Sequence, residues 1–116
     1  MKAMLKIEDR PDTLHISEEM LEGFGGFPNE LYLIKVGQDR YAANNVTLPD
    51  EQKINGLAVF PSPDDATTYM GLLGGLAGDI VKSTFEDARQ IAISKPVLSC
   101  LLLFEAGHII DIHYVR

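Results

Sequence analysis

The chain contains a single cysteine, Cys100, and therefore cannot form an internal disulfide. The residues around Cys100 are apolar, which predicts a buried thiol in a reducing compartment and a cytoplasmic protein. Long apolar runs are also missing, since the longest, Met70 to Ala77, is far shorter than the roughly 20 residues that cross a bilayer. Because Met1 to Ile7 lacks an apolar core, we expect neither a signal peptide nor a membrane partner.

Basic residues are scarce, with 10 Lys and Arg against 17 Asp and Glu in 116 residues, a net charge of −7. This balance argues against the wide basic footprint of a nucleic-acid-binding protein and against binding to an anionic membrane surface. The aromatic residues are not interleaved with basic ones, so stacking on nucleic-acid bases is not expected either. The length suits one domain over residues 1–116, which can bury enough surface to fold without a metal or a disulfide.

The stretch from Gly56 to Phe104 has the pattern strand, helix, strand, helix, strand. Ser62-Pro63-Asp64-Asp65 is a helix start, with a serine cap, a proline at the first position and acids in the first turn. Ser83 to Glu86 matches a capping box and predicts a second start. The expected helices cover Pro63–Leu76 and Phe85–Ser94, and the expected strands cover Leu57–Phe60, Asp79–Lys82 and Leu98–Phe104.

The flanking segments add strands to the same sheet. We expect a strand over Leu31–Val36 with a returning partner over Arg40–Ala43, then a polar connection and surface loop as far as Asn55. A final strand over Ile109–Val115 follows the turn at Glu105 to Gly107, and Met4–Ile7 is a short strand or an ordered arm. A short helix is expected after Ser17. The predicted fold is α+β, with a single mixed sheet of four to six strands and two main helices packed on one face.

Two glycine-rich segments have more than one explanation. Gly71, Gly74, Gly75 and Gly78 weaken a helix, which we attribute to close packing of its backbone; an early helix end in a loop and a ligand-binding backbone at Gly74 and Gly75 are the alternatives. A phosphate loop is a poor fit because these glycines come late in the helix. The loop from Phe24 to Phe27 is expected to fold its rings over the core, with a binding loop as the alternative.

Asp111 and His113 lie two residues apart on a predicted strand and therefore on one face. A carboxylate can orient an imidazole for base catalysis or metal binding, but a nucleophile from Ser99 or Cys100 would also be needed. We favour a solvated polar pair on the open side of the final hairpin. The histidines have no ligand-like spacing, so we expect no metal site, no cofactor and no catalytic residues.

The segment Val59-Phe60-Pro61-Ser62-Pro63-Asp64-Asp65-Ala66-Thr67-Thr68-Tyr69 resembles two related groups. One is the SseB N-terminal-like domain, and the other is a small cyanobacterial and plastid domain of unknown function. The second group also has a β-element before an acidic-capped helix, similar to Val81–Asp87 here. The resemblance covers about residues 57–115 and implies a compact, cytoplasmic α+β module without a known reaction or catalytic residues.

From these features we expect a non-catalytic protein-interaction or regulatory module that forms a homodimer. If both helices cover one side of the sheet, the reverse face or an edge strand is the working surface. Helices on opposite sides, or a buried cluster of ionisable groups around an enclosed cavity, would argue against an interaction module. The alternative is a small-molecule-binding protein or an enzyme that uses a cleft between the 24–27 loop and the 71–78 segment.

Overall fold

The structure, a computed structural model, describes residues 26–75 and 77–116 together with the backbone of residues 14–15. The helices are α1 (Pro63–Leu72) and α2 (Phe85–Ile93). The strands are β1 (Leu14–His15), β2 (Glu30–Gly37), β3 (Arg40–Tyr41), β4 (Ala43–Thr47), β5 (Lys53–Val59), β6 (Asp79–Thr84), β7 (Cys100–Glu105) and β8 (His108–Tyr114). Neither of these helices is long and apolar enough to cross a membrane.

Within the described residues the strands form a five-stranded sheet in the order β1-β4-β5-β7-β8 and a three-stranded sheet in the order β3-β2-β6. The larger sheet is mixed, because β5 runs parallel to β7 but antiparallel to β4. The two sheets meet where Tyr32 of β2 and Phe60 exchange backbone hydrogen bonds of 2.8 and 2.9 Å. The α+β class predicted from the sequence is confirmed, but the prediction of one sheet missed the smaller, three-stranded one.

The helices begin where their capping residues predict. The Ser62 hydroxyl accepts a hydrogen bond from the Asp65 amide at 3.2 Å, and Pro63 occupies the first turn of α1. The second cap lies one residue later than the predicted capping box: Thr84, not Ser83, accepts the Asp87 amide at 3.0 Å. Acids in both first turns face the positive ends of the helix dipoles.

The helices cover opposite faces of the sheet, contrary to the expectation of one shared face. Ala66 and Tyr69 of α1 pack in a cluster with Ala58 and Leu102. The α2 residues Ala88 and Ala92 instead belong to a second cluster, which contains the following set of alternate strand residues: Leu57, Val59, Leu101 and Leu103. Because side chains of neighbouring strand residues point to opposite faces, the central sheet is covered by a helix on each side. The reverse sheet face is therefore not the open surface that we predicted. This arrangement counts against an interaction module that works through a sheet face, and it leaves only the strand edges for that role.

Two strands lie where the sequence predicted a surface loop between Asn44 and Asn55. Strand β4 pairs with β5, with Val46 opposite Ile54, and both of these side chains are buried. Asn44 is also buried, and its side-chain oxygen accepts a hydrogen bond from the Tyr69 hydroxyl of α1. Asn44 of β4 therefore takes part in a buried hydrogen bond and does not face solvent.

The C-terminal residue Arg116 caps the end of α2. Its guanidinium donates hydrogen bonds of 2.7 to 3.0 Å to carbonyls at the end of the helix and in the following turn, those of Ala92, Ile93, Lys95 and Leu98. The last carbonyls of a helix have no partner within the helix, and they carry partial negative charge. Arg116 satisfies these carbonyls and joins the end of β8 to α2.

Candidate functional site

Asp111 is a buried carboxylate on β8, where its register partner is Leu103 of β7. One carboxylate oxygen accepts a hydrogen bond from the Ile112 amide at 2.8 Å, and the other accepts one from the Gly26 amide. The Val115 amide bonds to the Ser99 carbonyl, so the alternating ladder directs the Ile112 amide away from β7. The Asp111 carboxylate therefore satisfies an outward-facing amide of β8, that of Ile112, and holds the chain at Gly26 next to β8.

His113 lies on the same face as Asp111, as predicted, but it is not a solvated residue on an open face. Its ring contacts Phe85 edge-on with centroids 4.9 Å apart, and it contacts Phe27 at 6.1 Å. The two phenylalanine rings also contact each other at 5.6 Å. A pocket of about 220 Å³ lies beside these rings and Asp111. The close mutual contact of the rings indicates a packed cluster rather than an open cage for a ligand.

The residues that could act as nucleophiles do not reach this pocket. Cys100 lies opposite Tyr114, one position along β7 from the partner of His113, so its thiol points to the other face. Burial raises the pKa of this thiol to about 12, which keeps it protonated at neutral pH. The Ser99 hydroxyl donates to the Asn55 carbonyl at 3.2 Å. In the part of the chain that the structure describes, no group of three metal-binding side chains comes together either.

The glycines after α1 end the helix early. The Gly75 amide bonds to the Met70 carbonyl and the Gly74 amide to the Gly71 carbonyl, the hydrogen-bond pattern of a Schellman motif. Both Gly74 and Gly75 have positive φ, at 73° and 85°. An added Cβ at Gly71, Gly74 or Gly75 would meet nothing within 4 Å, so the predicted close packing is wrong at these three positions. Only the fourth glycine, Gly78, approaches another strand closely, with Ile34 at 2.7 Å from its ideal Cβ.

The structure does not bring Phe27 together with Gly74 and Gly75. The glycine segment leads into Asp79, which pairs with Lys35 near the end of β2, whereas Phe27 precedes the beginning of that strand. These two ends are five residues apart along β2, roughly 17 Å at the rise of a strand. The described residues therefore do not form the predicted cleft. Phe24, the remaining candidate residue, lies outside the described residues.

Strand β6 forms one edge of the three-stranded sheet. The Phe85 amide bonds to the Asn29 carbonyl, which fixes the alternation of the ladder and directs the backbone groups of Ile80 and Lys82 away from β2. Tyr32, the register partner of Lys82, bonds instead to Phe60 on the other side of β2. Which residues of β6 face outward depends on how β6 pairs with β2. The sequence does not show this pairing, so the edge could not be found from the sequence.

Sequence reasoning also missed a groove on either side of the Tyr41 ring, which we call the Tyr41 groove. One part, of about 530 Å³, lies between the three-stranded sheet and α2, and it is lined by Leu33, Lys35 and Lys82 among others. The other part, of about 270 Å³, reaches Val97. The residues of the whole Tyr41 groove come from four separate segments of the chain, so no local sequence motif could have indicated the groove.

No protein-family model matches the chain, and no curated protein or solved structure matches it either.

Proposed function

We propose that this chain is a non-catalytic protein-interaction module that forms a homodimer through the free edge of β6. The observation that carries the proposal is the pair of outward-facing residues Ile80 and Lys82, whose backbone N–H and C=O groups have no partner among the described residues. An unpaired strand edge offers a row of donors and acceptors to a strand of another molecule.

A second copy of the chain fits this edge best in one register. If two β6 strands pair antiparallel about Val81, Ile80 of each copy lies opposite Lys82 of the other, and all four outward backbone groups of each copy are paired. The Val81 side chains then meet on one face as an apolar pair. Pairing about Lys82 would set two like charges opposite each other, and it would place Ile80 opposite Thr84, whose carbonyl already accepts the Ser83 hydroxyl. We therefore propose the register centred on Val81.

The other long edge among the described strands, β8, is less suited to this role. On β8, the outward-facing amide of Ile112 is already bonded to the Asp111 carboxylate, and the chain at Gly26 lies against that carboxylate. A strand that approached this edge would have to displace both contacts. On β6, the Ser83 hydroxyl donates to the Thr84 carbonyl, and Lys82 forms an ion pair of 3.2 Å with Glu30 through exposed side chains. Neither contact occupies the backbone groups of Ile80 and Lys82.

The test compares Lys82→Pro with Lys82→Ala by light scattering coupled to gel filtration. Both variants remove the ion pair with Glu30, but only proline removes the outward amide. Since that amide has no partner within the described monomer, we expect Lys82→Pro to fold, as checked by circular dichroism. The wild-type chain and Lys82→Ala should have twice the mass of one chain, and Lys82→Pro the mass of one.

Two results would contradict the proposal. One is a wild-type mass equal to a single chain at high micromolar concentration, and the other is an unchanged dimer in Lys82→Pro. If the proline variant does not fold, hydrogen exchange on the wild-type chain gives an independent measurement. The Ile80 and Lys82 amides should exchange more slowly as the protein concentration rises, and equal rates at all concentrations would also contradict the proposal.

The setting that we propose for this module is cytoplasmic, and the support for it is the lone thiol of Cys100 in an apolar environment. We also propose that residues 57–115 are related to SseB N-terminal-like domains. This resemblance implies no catalytic residues, in agreement with a module that acts by binding.

A further inference from the structure

The Tyr41 groove concentrates positive charge on a chain whose net charge is −7. The structure describes seven of the 10 basic residues, because Lys2, Lys6 and Arg10 lie outside the described ranges. Four of these seven line the groove, namely Lys35, Arg40, Lys82 and Lys95, together with two carboxylates, those of Asp39 and Asp87. The lining therefore carries more cations than carboxylates, although the whole chain is acidic, and this excess favours an acidic ligand.

Two of these cations are available to a ligand. Lys82 is paired with Glu30, and Lys95 with Asp39 at 3.4 Å. Lys35 and Arg40 are exposed and form no ion pair with another described residue. A carboxylate that approaches either of them therefore gains an attraction without displacing an existing acidic partner.

The groove also has an apolar floor. Leu33 is buried beneath the first part, and the half-buried Val81 and Ile91 line it. At the rim of the second part, the Val97 side chain is 73% exposed, which is unusual for a large apolar residue. Tyr41 lies between the two parts. Exposed apolar and aromatic surface beside unpaired cations suits a ligand that has one apolar anchor flanked by acidic groups.

We propose that the Tyr41 groove binds an extended acidic segment of another protein, in which an aliphatic or aromatic anchor is flanked by Asp or Glu. The inference rests on the proposed function, since it assigns a partner chemistry to an interaction module. It uses Lys35 and Arg40, which lie away from the outward backbone groups of β6. Failure of the homodimer and failure of this inference are therefore measured separately.

The test begins with selection of short random peptides displayed on phage against the full chain. The enriched peptides are synthesised, and their binding is measured by fluorescence anisotropy on the wild type, Lys35→Glu, Arg40→Glu and Lys53→Glu. Lys53 is the matched control, because it is an exposed strand lysine outside the groove with the same charge change.

We expect the enriched peptides to be acidic and to contain an apolar anchor. Charge reversal at Lys35 or Arg40 should weaken their binding at least about tenfold, and Lys53→Glu should change it less than about twofold. Binding should also weaken as the salt concentration rises.

Enrichment of uncharged peptides that bind all variants equally would overturn the inference and leave an interaction module of another chemistry. Absence of any enriched peptide would overturn it too, as would tighter binding of a single-stranded oligonucleotide than of any acidic peptide with the same loss on charge reversal. A wild-type chain that is monomeric but binds acidic peptides in the groove would contradict the homodimer alone.

Discussion

The buried hydrogen bond between Tyr69 and Asn44 is the contact whose removal tests the described core most directly. Tyr69 is 4% exposed, and its ring packs edge-on against Phe60 and Phe104 with centroids 5.1 and 4.9 Å apart. Its hydroxyl donates to the side-chain oxygen of Asn44, which is itself 4% exposed. Burial raises the pKa of the Tyr69 hydroxyl well above its ordinary value, so the group stays a donor over the whole range in which the protein would be studied.

Tyr69→Phe removes this donor and leaves the ring in place. The oxygen of Asn44 then lies in the core without its donor, and leaving a buried polar group unsatisfied costs about 1–3 kcal/mol. A domain of this size is stable by about 5–15 kcal/mol, so the change should be easily measured as a lower midpoint of urea unfolding. Tyr114→Phe is the matched control, because Tyr114 is 50% exposed and its hydroxyl should contribute within about 0.5 kcal/mol.

A double-mutant cycle separates the hydrogen bond from other effects of the two substitutions. We expect Asn44→Ala to be destabilising by itself, and the double variant Tyr69→Phe/Asn44→Ala to lose less stability than the two single variants combined, by about 1 kcal/mol. The reasoning is refuted if Tyr69→Phe costs no more than Tyr114→Phe, or if the two single effects simply add.

Three further predictions concern packing, capping and the thiol. Gly56→Ala should cost about 1–3 kcal/mol of unfolding free energy, because the added Cβ would lie 2.5 Å from a core leucine atom. Gly71→Ala, where the added Cβ meets open space, should stabilise α1 by about 1 kcal/mol. Equal effects of the two substitutions on urea unfolding would contradict this difference. Arg116→Met keeps the apolar stem but removes the cap of α2, so it should lower the unfolding free energy by about 1–2 kcal/mol, and an unchanged midpoint would contradict the capping role. The folded-state pKa of Cys100 is raised from 9.0 to about 12, so the contribution of this thiol to stability should be constant below pH 9 and should fall as the pH rises above it. Alkylation by iodoacetamide at pH 8 should be slow until urea unfolds the chain, and rapid alkylation of the folded protein would contradict the burial of the thiol.

The starts and types of the main elements could be predicted because local chemistry determines them. Ser62 and Pro63 begin α1 as expected, and the acids of each first turn follow the same rule. Strand β4 was missed because its polar residues resemble a loop locally. The buried side-chain oxygen of Asn44 is satisfied by Tyr69, which lies 25 residues away and donates to it. A contact over that distance leaves no local pattern in the sequence.

The covering of both sheet faces had a signal that could have been used. Leu57 to Phe60 and Cys100 to Phe104 are continuous apolar runs rather than alternating ones. Continuous runs are typical of strands that are buried on both faces, and they argue against two helices on one face. The apolar stripe of α1 was correct at Ala66 and Tyr69, but a stripe does not indicate which face of a sheet it covers.

The candidate site was predicted less completely than the fold. Alternation along the last strand placed Asp111 and His113 on one face, and the register confirms this. Their burial depends on Gly26 and Phe27, which lie 85 or more residues away in the sequence. The Tyr41 groove is assembled from distant segments, and charge clustering of this kind becomes visible only when the chain is folded.

The carboxylate of Asp111 has a consequence for stoichiometry. Fibrils grow by strand addition only if each subunit offers two open sides, one for the molecule before it and one for the molecule after it. With the Ile112 amide already bonded to Asp111, β8 cannot accept a newcomer without giving up that bond. A pair joined at β6 would leave β8 as the remaining long edge among the described strands, and its occupied amide should oppose the addition of a third subunit there.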